Sequence, residues 1–212
     1  MTFFRLFISL SLVSILSSCA SLQVGGEFQS GRQALLKGNN DTALGFFQSV
    51  AQRDPSYTYG TAYRQGILSY LGRTEYLTGK LPQARQTLER ALAANREEDL
   101  ARLYLGLTLA RTGNGAQGLK EMEAGMKGIY NWIEYITEAQ RFSFGQYWDP
   151  AREIRSAIQS DLAALSGRDI DTSKAIMSGE WIAKRMEEEG DKASRDESRD
   201  RARDSEGRDS PR

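Results

Sequence analysis

The stretch Leu71 to Glu97, LGRTEYLTGKLPQARQTLERALAANRE, contains two helix-like runs that meet at Gly79-Lys80-Leu81. Leu71, Gly72 and Tyr76 form one stripe of apolar and small residues. Ala84, Leu88, Ala91 and Leu92 form a second, at i, i+4, i+7 and i+8, the spacing of one α-helix face. The small residues Gly72, Ala84 and Ala91 let two helix backbones cross closely. The pattern returns 34 residues on: Leu105-Gly106 stands for Leu71-Gly72, Gly113 for Gly79, and Gly118, Met122 and Gly125 for Ala84, Leu88 and Ala91. It is present upstream too, at Gly31, Gly38, Ala43, Phe47 and Val50, closed by Pro55. Such a chain is expected to stack helix pairs, each burying its stripes against the next.

A period of 34 with small residues at helix crossings resembles the tetratricopeptide repeat (TPR). The first copy matches best, with the family's small residue, glycine, alanine, aromatic and terminal proline at Gly31, Gly38, Ala43, Phe47 and Pro55. The second has Arg96 where proline is usual, and the third has Gly118 and Gly125 where alanine is usual. The resemblance implies an all-α fold: a TPR-type α-solenoid of about three helix pairs over residues 30–132, additional C-terminal capping helices over 133–190, and a disordered charged tail over 191–212. Gly31 to Gly72 is 41 residues rather than 34, with the extra seven in Ser56 to Arg64. Seven residues are two helical turns, ~10.5 Å, so the first helix of the second pair is expected to be lengthened, over about 61–78. Tyr57, Tyr59, Tyr63 and Tyr70 crowd this region, either as a protruding ridge or packed on neighbouring helices. The glycines of the third copy lower helix propensity by ~1 kcal/mol each, so its second helix, about 115–127, is expected to be the least stable.

Lys and Arg total 28, as do Asp and Glu, and this balance argues against a nucleic-acid partner. The chain has no histidine and one cysteine, which excludes Cys/His metal sites, Ser-His-Asp triads, Cys-His dyads and internal disulfides. Carboxylate chemistry and oxygen-ligand metal sites stay open on composition alone, with Glu134, Glu138 and Asp149 as the candidates. No catalytic residue, metal site or cofactor is expected, and the chain does not read as an enzyme.

The N-terminus reads as a targeting segment over residues 1–18, with Arg5 as its positive region and an apolar run of 11 residues, Leu6 to Leu16. A bilayer span needs ~20 residues. The run ends in Leu16-Ser17-Ser18-Cys19, which resembles a bacterial lipobox. The resemblance implies diacylglycerol attachment at Cys19, cleavage before it and acylation of the new amino group, hence a membrane anchored through the lipid. Ala20 follows the cysteine rather than aspartate. In Gram-negative bacteria that implies sorting to the outer membrane, with the protein facing the periplasm. Residues 19–29, with Gly25-Gly26, read as a lipidated tether.

The TPR pattern places Phe28, Arg32, Leu35 and Leu36, then Ser69, Arg73, Tyr76 and Leu77, then Leu103, Leu107, Ala110 and Arg111 on a concave groove. Arg32, Leu36, Arg73, Tyr76 and Arg111 are the candidate partner contacts. Arg32 and Arg73 fall at equivalent positions, and such a pair can grip a carboxylate or phosphate bidentately. The plainer alternative is that both pair with nearby Asp or Glu. The lysine and asparagine set of chaperone-binding TPR clamps is missing, so that function is not carried over.

Residues 129–148 are the most aromatic part of the chain, and read either as a cap on the solenoid or as a partner site. Asp149-Pro150 predicts a helix start running to about Leu165, with Asp149 at the N-cap. A weaker, semi-detached helix is expected over about 173–189, contacting through Ile176, Met177, Trp181, Ile182 and Met186. From Glu187 onward, 10 acidic and 7 basic residues in 26 leave too little apolar surface to offset ordering. Function is read as a membrane-anchored scaffold whose groove holds a protein partner of a cell-envelope assembly. The alternative is an accessory protein holding a small anion or lipid.

Overall fold

The computed structural model describes residues 23–60, 62–167 and 170–208, with side chains through residue 203. The targeting segment and Cys19 lie outside the described residues. The fold is all-α, with one short hairpin. Helix α1 covers residues 23–36, and α2 covers Asn40–Arg53. A hairpin of β1 (Thr58–Tyr59) and β2 (Gln65–Gly66) follows. Then come α3 (Ile67–Leu77), α4 (Leu81–Ala94), α5 (Asp99–Arg111) and α6 (Gly115–Ala139). A 3-10 turn (Phe144–Tyr147), α7 (Glu153–Leu165) and α8 (Thr172–Arg208) complete the chain.

The repeat in the sequence is a repeat in space. Each of the first three helix pairs crosses at a glycine, and each glycine meets a residue 16 positions on. A Cβ on Gly31 would stand 2.7 Å from Phe47, one on Gly72 2.6 Å from Leu88, and one on Gly106 2.5 Å from the Met122 nitrogen. Gly38, Gly79 and Gly113 turn each pair with φ of +78°, +76° and +89°, a left-handed conformation that side chains disfavour. The pairs then stack, α2 on α3 and α4 on α5.

Three expectations are corrected here. The seven extra residues do not lengthen α3, which starts at Ile67; they form the hairpin, with Thr58 opposite Gly66 and Tyr59 opposite Gln65. Gly60 at φ +99° breaks helical continuation. Thr58 and Tyr59 favour strand, and Tyr59 turns inward onto Phe28, ring centroids 4.8 Å apart. Phe28 also meets Phe47, Tyr57 and Tyr70, so these aromatics are core rather than a ridge. Second, residues 23–29 of the expected tether belong to α1, because Val24 and Phe28 are buried on its inner face despite Gly25-Gly26. Third, α6 does not fray after residue 127; it runs unbroken for 25 residues and takes in the first half of the aromatic segment. Its glycines buy proximity to α5: a Cβ on Gly118 would lie 2.5 Å from the Ala110 nitrogen, and one on Gly125 2.6 Å from the Leu103 nitrogen.

The rest of the aromatic segment divides. Trp132 and Trp148 meet edge to face at 4.6 Å, and Tyr63 packs on Trp132 at 4.5 Å. Tyr135 and Phe142 face outward, 66% and 87% exposed. Asp149 caps α7 from farther upstream than expected. The helix starts at Glu153, and the Asp149 carboxylate accepts the N–H groups of Ile154 and Arg155 at 3.0 and 3.1 Å. The Arg155 guanidinium closes on the same carboxylate at 2.9 Å.

The largest departure is α8. Where composition predicts a semi-detached helix and a disordered tail from residue 191, one helix continues from Thr172 to Arg208. Ile182, Ala183, Met186, Glu187, Glu189 and Ala193 are buried. Met177 and Trp181, two expected contacts, are exposed. Beyond Ala193 the helix is carried by i,i+4 pairs such as Arg195–Asp191 at 2.7 Å and Arg201–Glu197 at 2.5 Å.

The Asp99 carboxyl, at the start of α5 and close against Gly128, titrates at about 6 because burial disfavours its charge. A carboxyl whose folded pKa is raised stabilises the fold below the unfolded value of 3.8, and that contribution is lost as pH rises through about 6. Asp99→Asn is therefore expected to raise Tm at pH 7.5 and leave it unchanged at pH 4. Two pH units amount to about 3 kcal/mol in a fully buried site; with solvent screening the gain is about 1 kcal/mol. Thermal melts at the two pH values read it out.

Candidate functional site: an arginine-lined groove holding the C-terminal helix

The first helix of each pair, α1, α3 and α5, contributes to one face, and α8 lies across that face. At the third pair, Gly179 of α8 sits so close that a Cβ there would stand 3.0 Å from Met122 and 3.1 Å from Leu107. At the first pair, Glu187 reaches Arg32. Gly190 near the far end lies against Trp148, 3.3 Å from a placed Cβ. On its outer side α8 is tied to α7 by Arg185–Glu153 at 3.0 Å, and the Asp149 N–H donates to Glu189 at 2.9 Å.

Two carboxylates of α8 meet the arginines of the face. Glu187 is shared: Arg32 Nε donates to Oε1 at 2.8 Å and Arg73 Nη1 donates to Oε2 at 3.1 Å. Arg32 is 7% exposed and Arg73 2%. One turn of the face away, Glu180 accepts from the Tyr76 hydroxyl and pairs with Arg111 at 3.0 Å. Each arginine also lies over a tyrosine ring: Arg32 over Tyr59 at 4.7 Å, Arg73 over Tyr70 at 4.3 Å and Arg111 over Tyr76 at 5.0 Å. Arg32 further donates to the Tyr59 hydroxyl at 2.9 Å.

The protonation states follow. Burial opposes the Glu187 charge, but Arg73 and Arg32 outweigh it and hold the carboxyl below its usual range. Burial likewise opposes the charges of Arg32 and Arg73, and Glu187 with the neighbouring tyrosines keeps both above the usual guanidinium value. All three groups are ionised at neutral pH, so two buried cations share one buried anion. Burial, then the bond to Glu180, pushes the Tyr76 hydroxyl up, so it stays a donor.

Sequence reasoning selected Arg32, Leu36, Arg73, Tyr76 and Arg111. The structure brings Arg32 and Arg73 together on Glu187, and Tyr76 and Arg111 on Glu180. Leu36 is half-buried beside them and lines a cavity flanking α8. Other residues mapped to the groove are interior: Phe28 packs in the α1–α2 core, and Leu103 and Leu107 lie under α8. Ser69 donates to Glu98. Sequence reasoning missed Glu180 and Glu187. They are seven residues apart on one helix with Ala183 between them, a spacing that puts both carboxylates on one face and was the available signal.

Two cavities flank α8. One, about 370 Å³, lies between α8, the hairpin and Trp148. The other, about 570 Å³, lies between α8 and the ends of α1, α3 and α5. Among the described residues, no three side chains of Cys, His, Asp or Glu are grouped to hold a metal ion. Among the same residues, no helix is long and apolar enough to cross a membrane. Compared with family models, curated proteins and solved structures, the chain matches none.

Proposed function

We propose that the protein is a lipid-anchored interaction scaffold of the bacterial cell envelope, built on TPR-type helix pairs, whose groove binds a helical protein segment. The observation that carries this reading is α8 itself. A helix bearing Glu180 and Glu187 is held across α1, α3 and α5 by Arg32, Arg73, Tyr76 and Arg111. The same side chains can hold a partner's acidic helix, with α8 as its resident counterpart. The repeated glycine crossings and left-handed glycine turns support the TPR-type reading. The anchor rests on Leu16-Ser17-Ser18-Cys19 and the outer-membrane assignment on Ala20.

Capture from solubilised membranes with the full chain tests the scaffold. Glu187→Ala is expected to recover one protein in greater yield than wild type, and adding Arg111→Glu to lose it. Equal or empty recoveries from all three would overturn the reading. For the anchor, Cys19→Ala is expected to move the protein from the membrane to the soluble fraction. A variant processed normally and still membrane-bound would contradict it.

A further inference from the structure

Arg73 is the least satisfied charge in the fold. Its Nη1 donates to Glu187, and one face of its guanidinium lies over Tyr70. Its Nε and Nη2 are buried and have no hydrogen-bond partner among the described residues. Those two atoms form one edge of the guanidinium, the fork that grips both oxygens of a carboxylate in parallel. A buried donor left without an acceptor costs about 1–3 kcal/mol, and here two adjacent ones persist on the same side chain.

Arg73 lines the cavity of about 570 Å³ between α8 and the ends of α1, α3 and α5. That volume suits a small ligand. Four basic and three acidic side chains line it, Lys37, Arg73, Arg111 and Lys184 against Glu180, Glu187 and Glu188. The acids are committed: Glu180 to Arg111 and Tyr76, Glu187 to Arg32 and Arg73, Glu188 to Lys184 at 3.6 Å. The excess of one positive charge favours a monoanion over a phosphate dianion. Leu35, Leu36 and Leu77 give the same cavity an apolar wall at the rim.

We propose that this cavity is a binding site for a small amphiphilic carboxylate, whose headgroup takes the open edge of Arg73 and whose apolar body lies along Leu35, Leu36 and Leu77. The site needs α8 in place, because α8 forms one wall, and it is independent of whether α8 yields to a protein partner.

The test is calorimetric titration of the full chain with octanoate, octanol and octyl phosphate, alongside the Arg73 Nε–H signal in NMR. Octanoate is expected to bind one to one, at least tenfold tighter than octanol and tighter than octyl phosphate, and to shift the Arg73 Nε–H resonance. Leu36→Trp, which narrows the rim, is expected to weaken octanoate at least tenfold with an unchanged melting temperature. Absence of octanoate binding would overturn the proposal, as would equal binding of octanol, tighter binding of octyl phosphate, or an affinity that Leu36→Trp does not alter.

Discussion

Glu187→Ala is expected to release α8 from the groove. The substitution leaves Arg32 and Arg73 buried beneath the helix with no carboxylate between them, and breaking a buried pair from one side costs about 3–5 kcal/mol. Two stranded cations are worse than one, and lifting α8 rehydrates both. The loss is therefore expected as local undocking of residues 172–208 rather than collapse of the helix pairs. Circular dichroism should show reduced helix content below the main transition, with α1 to α6 melting later. Glu187→Gln keeps the shape but not the charge and should fall between the two. Replacing the whole cluster, Arg32→Met with Arg73→Met and Glu187→Met, is expected to restore docking, because a matched apolar set has no charge to desolvate.

The second large effect reverses an ordinary rule. Glycine to alanine inside a helix normally stabilises by ~1 kcal/mol. Gly115→Ala should follow it, since nothing lies within 4 Å of a Cβ there. Gly125→Ala should do the opposite. Its Cβ would stand 2.6 Å from the Leu103 nitrogen and 2.8 Å from the Asp99 carbonyl oxygen, and main chain cannot swing aside as a side chain can. Helices α5 and α6 must separate, loosening Leu103, Leu107 and Met122 between them, a cost of about 1–3 kcal/mol. In a chain of this size that is a fall in Tm of roughly 2–9 °C. Gly118→Ala, 2.5 Å from the Ala110 nitrogen, is expected to behave likewise. Thermal melts of the three variants give the signs directly.

The same glycines mark what the sequence made legible. The equivalence of Gly31, Gly72 and Gly106, and of Gly38, Gly79 and Gly113, was readable because a local repeat leaves a local signature. That Gly118 and Gly125 strengthen a crossing rather than weaken a helix was not. Propensity is a property of one segment, and close approach is a property of two. The hairpin escaped for a similar reason: seven residues fit two helical turns by length, but Tyr59 has its partners in Phe28 and Arg32, some thirty residues away.

For α8 the missing information was longer in range. Its buried apolar residues, Ile182, Ala183, Met186 and Ala193, are too sparse among charges to register as an amphipathic stripe. What fixes it are Arg32–Glu187 and Arg73–Glu187, pairs 155 and 114 residues apart. The arginines were legible as a matched pair, and their carboxylate was not, because it lies within a stretch whose composition reads as solvated tail. A charged segment can order when its charges are answered by buried partners elsewhere, which net composition does not reveal.

Hydrogen exchange of the full chain, read segment by segment in wild type and Glu187→Ala, tests whether the groove is a helix-binding surface with α8 as its separable occupant. The expected result is that amides of 176–193 open with a lower free energy than those of α5 and α6 in wild type. In the variant they should lose protection selectively while α1 to α6 keep theirs. The contrary result is a single cooperative unit: α8 exchanging only with the core in wild type, and the variant lowering protection equally everywhere. That outcome would make α8 a permanent part of the core and remove the basis for a partner in its place.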